Sequence, residues 1–297
     1  MDFLGVPALD VGAVFDTVVE STQDATLRHQ LAMERARIVA GSGSYATAAS
    51  VGTLGQLVAS QFTSSNVRPS EMVALYERLR NNTLPRKIYA ELLHQNAFSR
   101  CAYCSDRDAA TLDHYLGKAS FGIFAVLPAN LVPACMPCNS ARAVREQRTR
   151  APANTLHPYY DDMATVRWLR ARIVDSGGPV ARLFADPAAV STPYLRARSA
   201  EHLTALNLKM HFKLKAAQEL AGLDETLPDT LLRRGRSAVV DDLQTQARQR
   251  AAGRTNCWER ALFEALAEND WYLTTYLPSL VARGPASQDP RRPIPLP

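Results

Sequence analysis

Phe98-Ser99-Arg100-Cys101-Ala102-Tyr103-Cys104, then Leu112-Asp113-His114-Tyr115-Leu116-Gly117-Lys118, then Pro128-Ala129-Asn130-Leu131-Val132-Pro133-Ala134-Cys135-Met136-Pro137-Cys138-Asn139 occupy the middle of a 297-residue chain. Two Cys-x-x-Cys pairs hold four of its five cysteines. A Cys-x-x-Cys turn sets two thiolates about one ligand spacing apart. Two such turns supply four soft donors for a tetrahedral Zn²⁺, at about 2.3 Å each. Residues 105–134 separate the pairs, a longer spacer than in a plain zinc ribbon, so it must form its own substructure. Redox dithiols or core thiols are the alternative for the same four residues.

The spacer carries the polar groups. The run 111–116 is apolar around Asp113 and His114 and reads as a strand. Neighbouring side chains on a strand point to opposite faces, so Asp113 and His114 share one site only if the strand bends or lies against a helix. Pro137 opens such a helix, with Asn139 in its first turn and arginines behind. Two strands and a helix pinned by zinc would make a ββα-metal unit.

Over about fifty residues the sequence resembles the HNH endonuclease family. Cys-x-x-Cys, Asp-His, Asn-Leu-Val-Pro and Cys-x-x-Cys-Asn follow one another in family order. The three signature positions fall on His114, Asn130 and Asn139. Gly117 stands where the family often has proline. The resemblance implies a nuclease that leaves a 5′-phosphate and a 3′-hydroxyl. A neutral imidazole is a competent base at neutral pH, so His114 takes that role. Asp113 and Asn139 are hard oxygen donors suited to one catalytic Mg²⁺ or Mn²⁺. Asn130, by resemblance, orients the histidine or pins the loop. Lys118 and Arg142 are candidate phosphate contacts, and Arg145 shares a helical face with Arg142 at i, i+3.

A net charge of +5 suits a polyanionic partner, with double-stranded DNA the first expectation. No apolar run reaches the roughly 20 residues that span a bilayer, so no membrane role is expected. The cysteine spacing points to a reducing cytoplasm. No Walker-type loop occurs. The family analogy suggests an anti-phage nuclease effector working beside a separate ATPase or as a homo-oligomer. Two rival classes remain: a catalytically silent zinc-stapled module that binds nucleic acid or a partner, and an RNA-directed nuclease.

The expected fold is mostly α with a small α+β insert. Residues 1–97 are a helical N-terminal region, 98–150 the zinc-stabilised module, 151–283 a hairpin followed by helices, and 284–297 a proline-rich extended tail. Within the first region, helices are expected up to residue 40 with a break at 22–24. A turn is expected at 41–44, and a third helix over 46–58. Pro69 and Pro85 open two more helices. His157 is a buried turn histidine, a second metal ligand or a phosphate contact. Asp175-Ser176-Gly177-Gly178 marks a tight hairpin. Helices then run to about Tyr276, with a new one starting at Leu231 and an apolar core stripe at Trp258, Leu262, Phe263 and Leu266.

Overall fold

Two aspartates open the N-terminal helices. The Asp10 carboxylate accepts the Ala13 amide at 2.7 Å, and Asp24 accepts Thr26 and Leu27 at 2.8 and 3.0 Å. A short acidic side chain here satisfies amides that lack a partner within the helix and sits at the positive end of its dipole. The computed structural model describes residues 1–149, 154–251 and 253–283. The proline-rich segment 284–297 lies outside these residues, as does Arg150. The chain is mostly helical with two small antiparallel sheets. It divides into two compact units, Met1–Met163 and Ala164–Pro297.

In the first unit, α1 (Val11–Glu20), α2 (Ala25–Met33) and α3 (Arg35–Ser50) follow the capping aspartates. Val14, Phe15, Val18 and Val19 bury one face of α1, as their helical spacing requires. The turn expected at 41–44 does not form, because α3 runs straight through it. Gly41 lies against the Phe124 and Ile123 side chains, and Tyr45 and Ala49 are buried. That packing outweighs the roughly 1 kcal/mol that each helical glycine costs. The chain breaks instead at Glu34, which is 1 % exposed and binds the Asn66 amide group at 2.6 Å. The helix expected over 46–58 stops at Ser50. Pro69 and Pro85 occupy first-turn positions of α4 (Pro69–Asn81) and α5 (Pro85–Leu93), where a missing amide hydrogen costs nothing.

Strand β1 (Thr111–His114) pairs antiparallel with β2 (Leu131–Ala134), Asp113 opposite Val132 and His114 opposite Leu131. Helix α6 (Met136–Thr149) follows at once and packs on β1. The segment 154–163 belongs to this unit too. Tyr159 donates to the Leu131 carbonyl at 2.6 Å, and Thr155 accepts from Tyr115 at 2.6 Å.

The second unit opens with β3 (Leu169–Asp175) and β4 (Pro179–Ala185), paired from Leu169↔Ala185 to Asp175↔Pro179. The turn forms as the sequence requires: Asp175 accepts the Gly177 and Gly178 amides, and Gly177 takes φ +76°. Asn256 pins the entry to β3, accepting the Trp168 and Leu169 amides and donating to Val166. Helix α7 (Pro193–Ala205) leads into the helical stretch α8 (Leu208–Ala251). The break expected before Leu231 falls instead at Gly235, with φ 82° and ψ 175°. Arg250 and Glu219 pair at 3.1 Å. On a straight helix they would stand about 46 Å apart at 1.5 Å per residue, so the chain reverses at Gly235. Only glycine takes that backbone conformation readily. Helix α9 (Trp258–Ala267) buries Trp258, Leu262, Phe263 and Leu266 in the core, and α10 (Leu277–Arg283) ends the described chain. Among the described residues no helix is long and apolar enough to cross a membrane.

Candidate metal centre and its surroundings

Cys101 and Cys104 precede β1, while Cys135 and Cys138 join β2 to α6. All four are buried, and their sulfurs lie within 4.8 Å of one another. Cys104 and Cys135 are 4.0 Å apart. A tetrahedral zinc with 2.3 Å bonds needs sulfurs about 3.8 Å apart, so the four residues can hold a structural zinc. Burial pushes the Cys101 thiol up. A hydrogen bond from Cys101 draws Cys104 down to about 6, and one to Cys135 draws it lower still. A hydrogen bond with Cys101 pushes Cys138 up, so the four thiols divide into two raised and two lowered, and holding all four as thiolates would take the charge of a bound cation.

Arg107 was not singled out in the sequence. Its amide points at Cys104 Sγ (3.5 Å) and its guanidinium at Cys135 Sγ (3.9 Å). A cation beside four thiolates offsets their excess negative charge. Its position, three residues after Cys104, was the available signal. Ser105 adopts φ +55° as the first knuckle turns and donates its amide to the Cys101 carbonyl at 2.9 Å.

Asp113 and His114 point to different neighbours, as strand alternation requires. The Asp113 carboxylate lies inside, 6 % exposed. It accepts the Tyr103 hydroxyl at 2.8 Å and the Arg142 guanidinium. Burial raises its pKa, and the Arg142 charge and the Tyr103 hydrogen bond oppose that rise. Arg142 is 1 % exposed. It also donates to the Tyr103 hydroxyl and the Tyr115 carbonyl, both at 2.7 Å, and lies over the Tyr115 ring at 4.6 Å. It thus serves as the counter-ion of Asp113 beneath α6. Tyr103, the third residue of the first Cys-x-x-Cys, is the link that sequence reasoning passed over.

His114 faces Tyr76 of α4, with ring centroids 4.5 Å apart, and its Nε2 lies 2.9 Å from the Ala125 carbonyl. A carbonyl can only accept, so Nε2 carries the hydrogen and Nδ1 holds the ring's lone pair. Burial pushes the pKa down to about 3, and the nearby Lys118 and Arg142 charges add to that against the Ala125 bond. Because the folded value is depressed, the stability tied to the neutral ring is complete above about pH 6.5 and erodes as pH falls toward 3, by up to about 1.4 kcal/mol per unit. Relative to His114→Gln, the wild-type protein should lose about 2 kcal/mol between pH 7 and pH 5 in urea unfolding. A difference that does not change with pH would show an ordinary, solvated histidine.

Asn130 is wholly buried and fully bonded. Its Oδ1 accepts the Leu116 amide at 2.7 Å, and its Nδ2 donates to the Leu116 and Phe124 carbonyls, both at 3.1 Å. Phe124 precedes the residue that fixes His114, so Asn130 holds the loop that orients the ring. Asn130→Ala strands three backbone groups and is expected to lower the unfolding free energy by roughly 2–4 kcal/mol, readable in a denaturant melt. Asn139 is half-buried on the Arg142 face of α6, three residues back, and its side chain has no hydrogen bond among the described residues. Lys118 meets Glu77 at 3.4 Å and the Tyr76 ring at 4.3 Å. Arg145 is half-buried on α6. His157 is a buried turn histidine. Its Nδ1 accepts the Tyr159 amide at 3.2 Å, its Nε2 meets the Tyr45 hydroxyl at 3.0 Å, and its ring stacks on Tyr115.

Antiparallel β1 and β2, helix α6 and a buried four-cysteine site that could hold a metal ion make up a small module. The chain is similar to protein ea31 of Escherichia phage lambda, 22 % identical over 219 residues, covering 69 % of this chain and 74 % of that protein. No protein-family model matches it, and no solved structure matches it.

Proposed function

We propose that the protein is a metal-dependent endonuclease of the HNH type that hydrolyses phosphodiester bonds of DNA. The observation that carries this reading is the His114 ring: Nε2–H held on the Ala125 carbonyl, Nδ1 left as a neutral lone pair. In this reading Nδ1 takes a proton from water as the oxygen attacks phosphorus. The P–O3′ bond breaks and the 3′-oxygen takes a proton from solvent water, leaving a 5′-phosphate and a 3′-hydroxyl. Fixing the tautomer in advance spares the reaction that reorganisation. A Mg²⁺ or Mn²⁺ ion held by Asp113 and Asn139 would relieve charge on the phosphoryl and leaving oxygens. Since one Asp113 oxygen already accepts from Tyr103 and Arg142, the other would serve as donor. Lys118 and Arg145 are the proposed phosphate contacts.

The test is nicking of supercoiled plasmid by zinc-loaded protein with Mg²⁺ or Mn²⁺. His114→Ala should lose about 10²- to 10⁴-fold in rate with its circular dichroism unchanged. A second reading, the catalytically silent zinc-stapled module, draws on the Asp113–Arg142 pair, which neutralises the carboxylate proposed for the catalytic metal. No nicking with any divalent metal, by a protein that carries one zinc and retains DNA, would favour it. Cleavage of RNA alone, without added metal, would favour attack by a 2′-hydroxyl.

A further inference from the structure

Beside β1, within the first unit, lies a cleft of about 340 Å³ between α4 and α5, lined by Arg80, Arg86, Tyr89, Leu93, His94 and Ala110, with no carboxylate in its wall. Arg80 and Arg86 are exposed, and the side chain of neither makes an ion pair or hydrogen bond among the described residues. That sets them apart from nearby Arg68 and Arg78, both bound to Glu71. Exposed arginines without acidic partners are free to meet an anion, and the planar guanidinium suits phosphate oxygens.

Two further observations give the cleft a direction. At one end, Tyr89 packs against Tyr76 with ring centroids 6.2 Å apart, and Tyr76 is the residue against which His114 lies. The turn that follows His94 carries Phe98, 86 % exposed, with the Arg100 guanidinium 5.7 Å from its ring. Phe98 and Ser99 both adopt the left-handed conformation, φ 58° and 50°. Residues other than glycine rarely take it, because Cβ then crowds the following carbonyl oxygen. The turn is tied to the cleft: Ser99 Oγ bonds His94 Nδ1 at 2.9 Å, and the Ser99 carbonyl accepts the Ala109 amide at 2.7 Å. A turn bonded to His94 of the cleft wall thus presents a large apolar ring to water.

We propose that this cleft is a strand-binding subsite for nucleic acid. Arg80 and Arg86 contact consecutive backbone phosphates, and Phe98 stacks on an unpaired base of the same strand. A base inside a duplex keeps its faces covered by its neighbours and cannot offer one to Phe98, whereas an unpaired base can. The preferred substrate is therefore nucleic acid with a single-stranded tract, gap or splayed end next to the bond that His114 would address. The proposal rests on the nuclease reading for the role of His114 but not for the binding itself.

The test measures binding of the zinc-loaded full chain without added divalent metal, by fluorescence anisotropy. The probes are a labelled 20-nucleotide single strand, the matching duplex and a polyglutamate peptide. Arg80→Ala/Arg86→Ala should weaken single-strand binding at least 10-fold and lower the slope of log K against log salt by about 1.4, or 0.7 per phosphate contact. Phe98→Ala should weaken single-strand binding about 5- to 100-fold and duplex binding far less. Arg233→Ala, a surface arginine of the second unit paired with Asp229, serves as the control and should change neither. Binding is read without added divalent metal, so failure to cut DNA does not touch this result. Wild-type affinity in the double variant would overturn the proposal. So would an equal effect of Phe98→Ala on single strand and duplex, or polyglutamate binding as tight and as sensitive to the same variants.

Discussion

Arg142→Met should cost about 3–5 kcal/mol of the folding free energy of the first unit, because it leaves a buried carboxylate without its counter-ion. Arg142 has almost no surface, and its guanidinium joins Asp113, the Tyr103 hydroxyl and the Tyr115 carbonyl. Without it Asp113 must take up a proton or admit water, and two hydrogen-bond acceptors lose their donor. Arg142→Lys should recover only part of the loss, since an ammonium cannot span three acceptors in one plane. Asp113→Asn/Arg142→Met should recover most of it, because removing both charges removes the desolvation penalty with them. Urea unfolding followed by far-UV circular dichroism measures all three. A solvated phosphate contact would behave differently. Its loss would change stability by no more than about 0.5 kcal/mol and appear only in nucleic-acid binding. A small effect of Arg142→Met on stability, with no rescue in the double variant, would return Arg142 to the surface role that its sequence position suggests.

What the sequence disclosed, and what it did not, follows from the range of each interaction. The cysteine quartet is legible because metal ligation fixes both residue type and spacing. The β3–β4 turn is legible because Asp175, Gly177 and Gly178 satisfy one another within four residues. The capped and proline-initiated helices are local in the same way. Misplaced elements were those where distant packing overrides local preference. Gly41 stays helical because of the Phe124 and Ile123 side chains, some eighty residues on. The break expected before Leu231 falls at Gly235 instead, and the helix runs through Pro228. The same holds at the site. Asp113, His114, Asn130 and Asn139 stand out by type and order. Tyr103, Tyr76 and Ala125 do not, because a tyrosine or a backbone carbonyl becomes specific only through what the fold brings against it. Arg142 was visible as a cation on a helix, and only its burial distinguishes a counter-ion from a phosphate contact.

Removing the zinc should unfold the first unit and leave the second one standing. The four thiols tie the approach to β1 to the junction of β2 and α6, and no other covalent or metal link does so among the described residues. Structural zinc in such sites contributes about 10–16 kcal/mol of apparent binding free energy at pH 7. That is of the same size as the roughly 5–15 kcal/mol that usually separates a folded domain from its unfolded chain. Wild-type protein should carry one zinc per chain by elemental analysis, and Cys104→Ser should carry little. The chain offers a built-in way to tell the units apart. All three tryptophans, Trp168, Trp258 and Trp271, lie in the second unit, whereas Tyr45, Tyr76, Tyr103 and Tyr115 lie in the first. A strong chelator should therefore lower the far-UV dichroism and expose the four thiols, while tryptophan emission holds its position. Unchanged dichroism and melting temperature after complete zinc loss would mean that the thiols pack as core residues. The consequence reaches past stability, because Tyr103 sits between Cys101 and Cys104 and donates to Asp113. Loosening the knuckle takes away one of the two side chains that hold that carboxylate, so zinc content and the geometry around Asp113 should be lost together, at one chelator concentration.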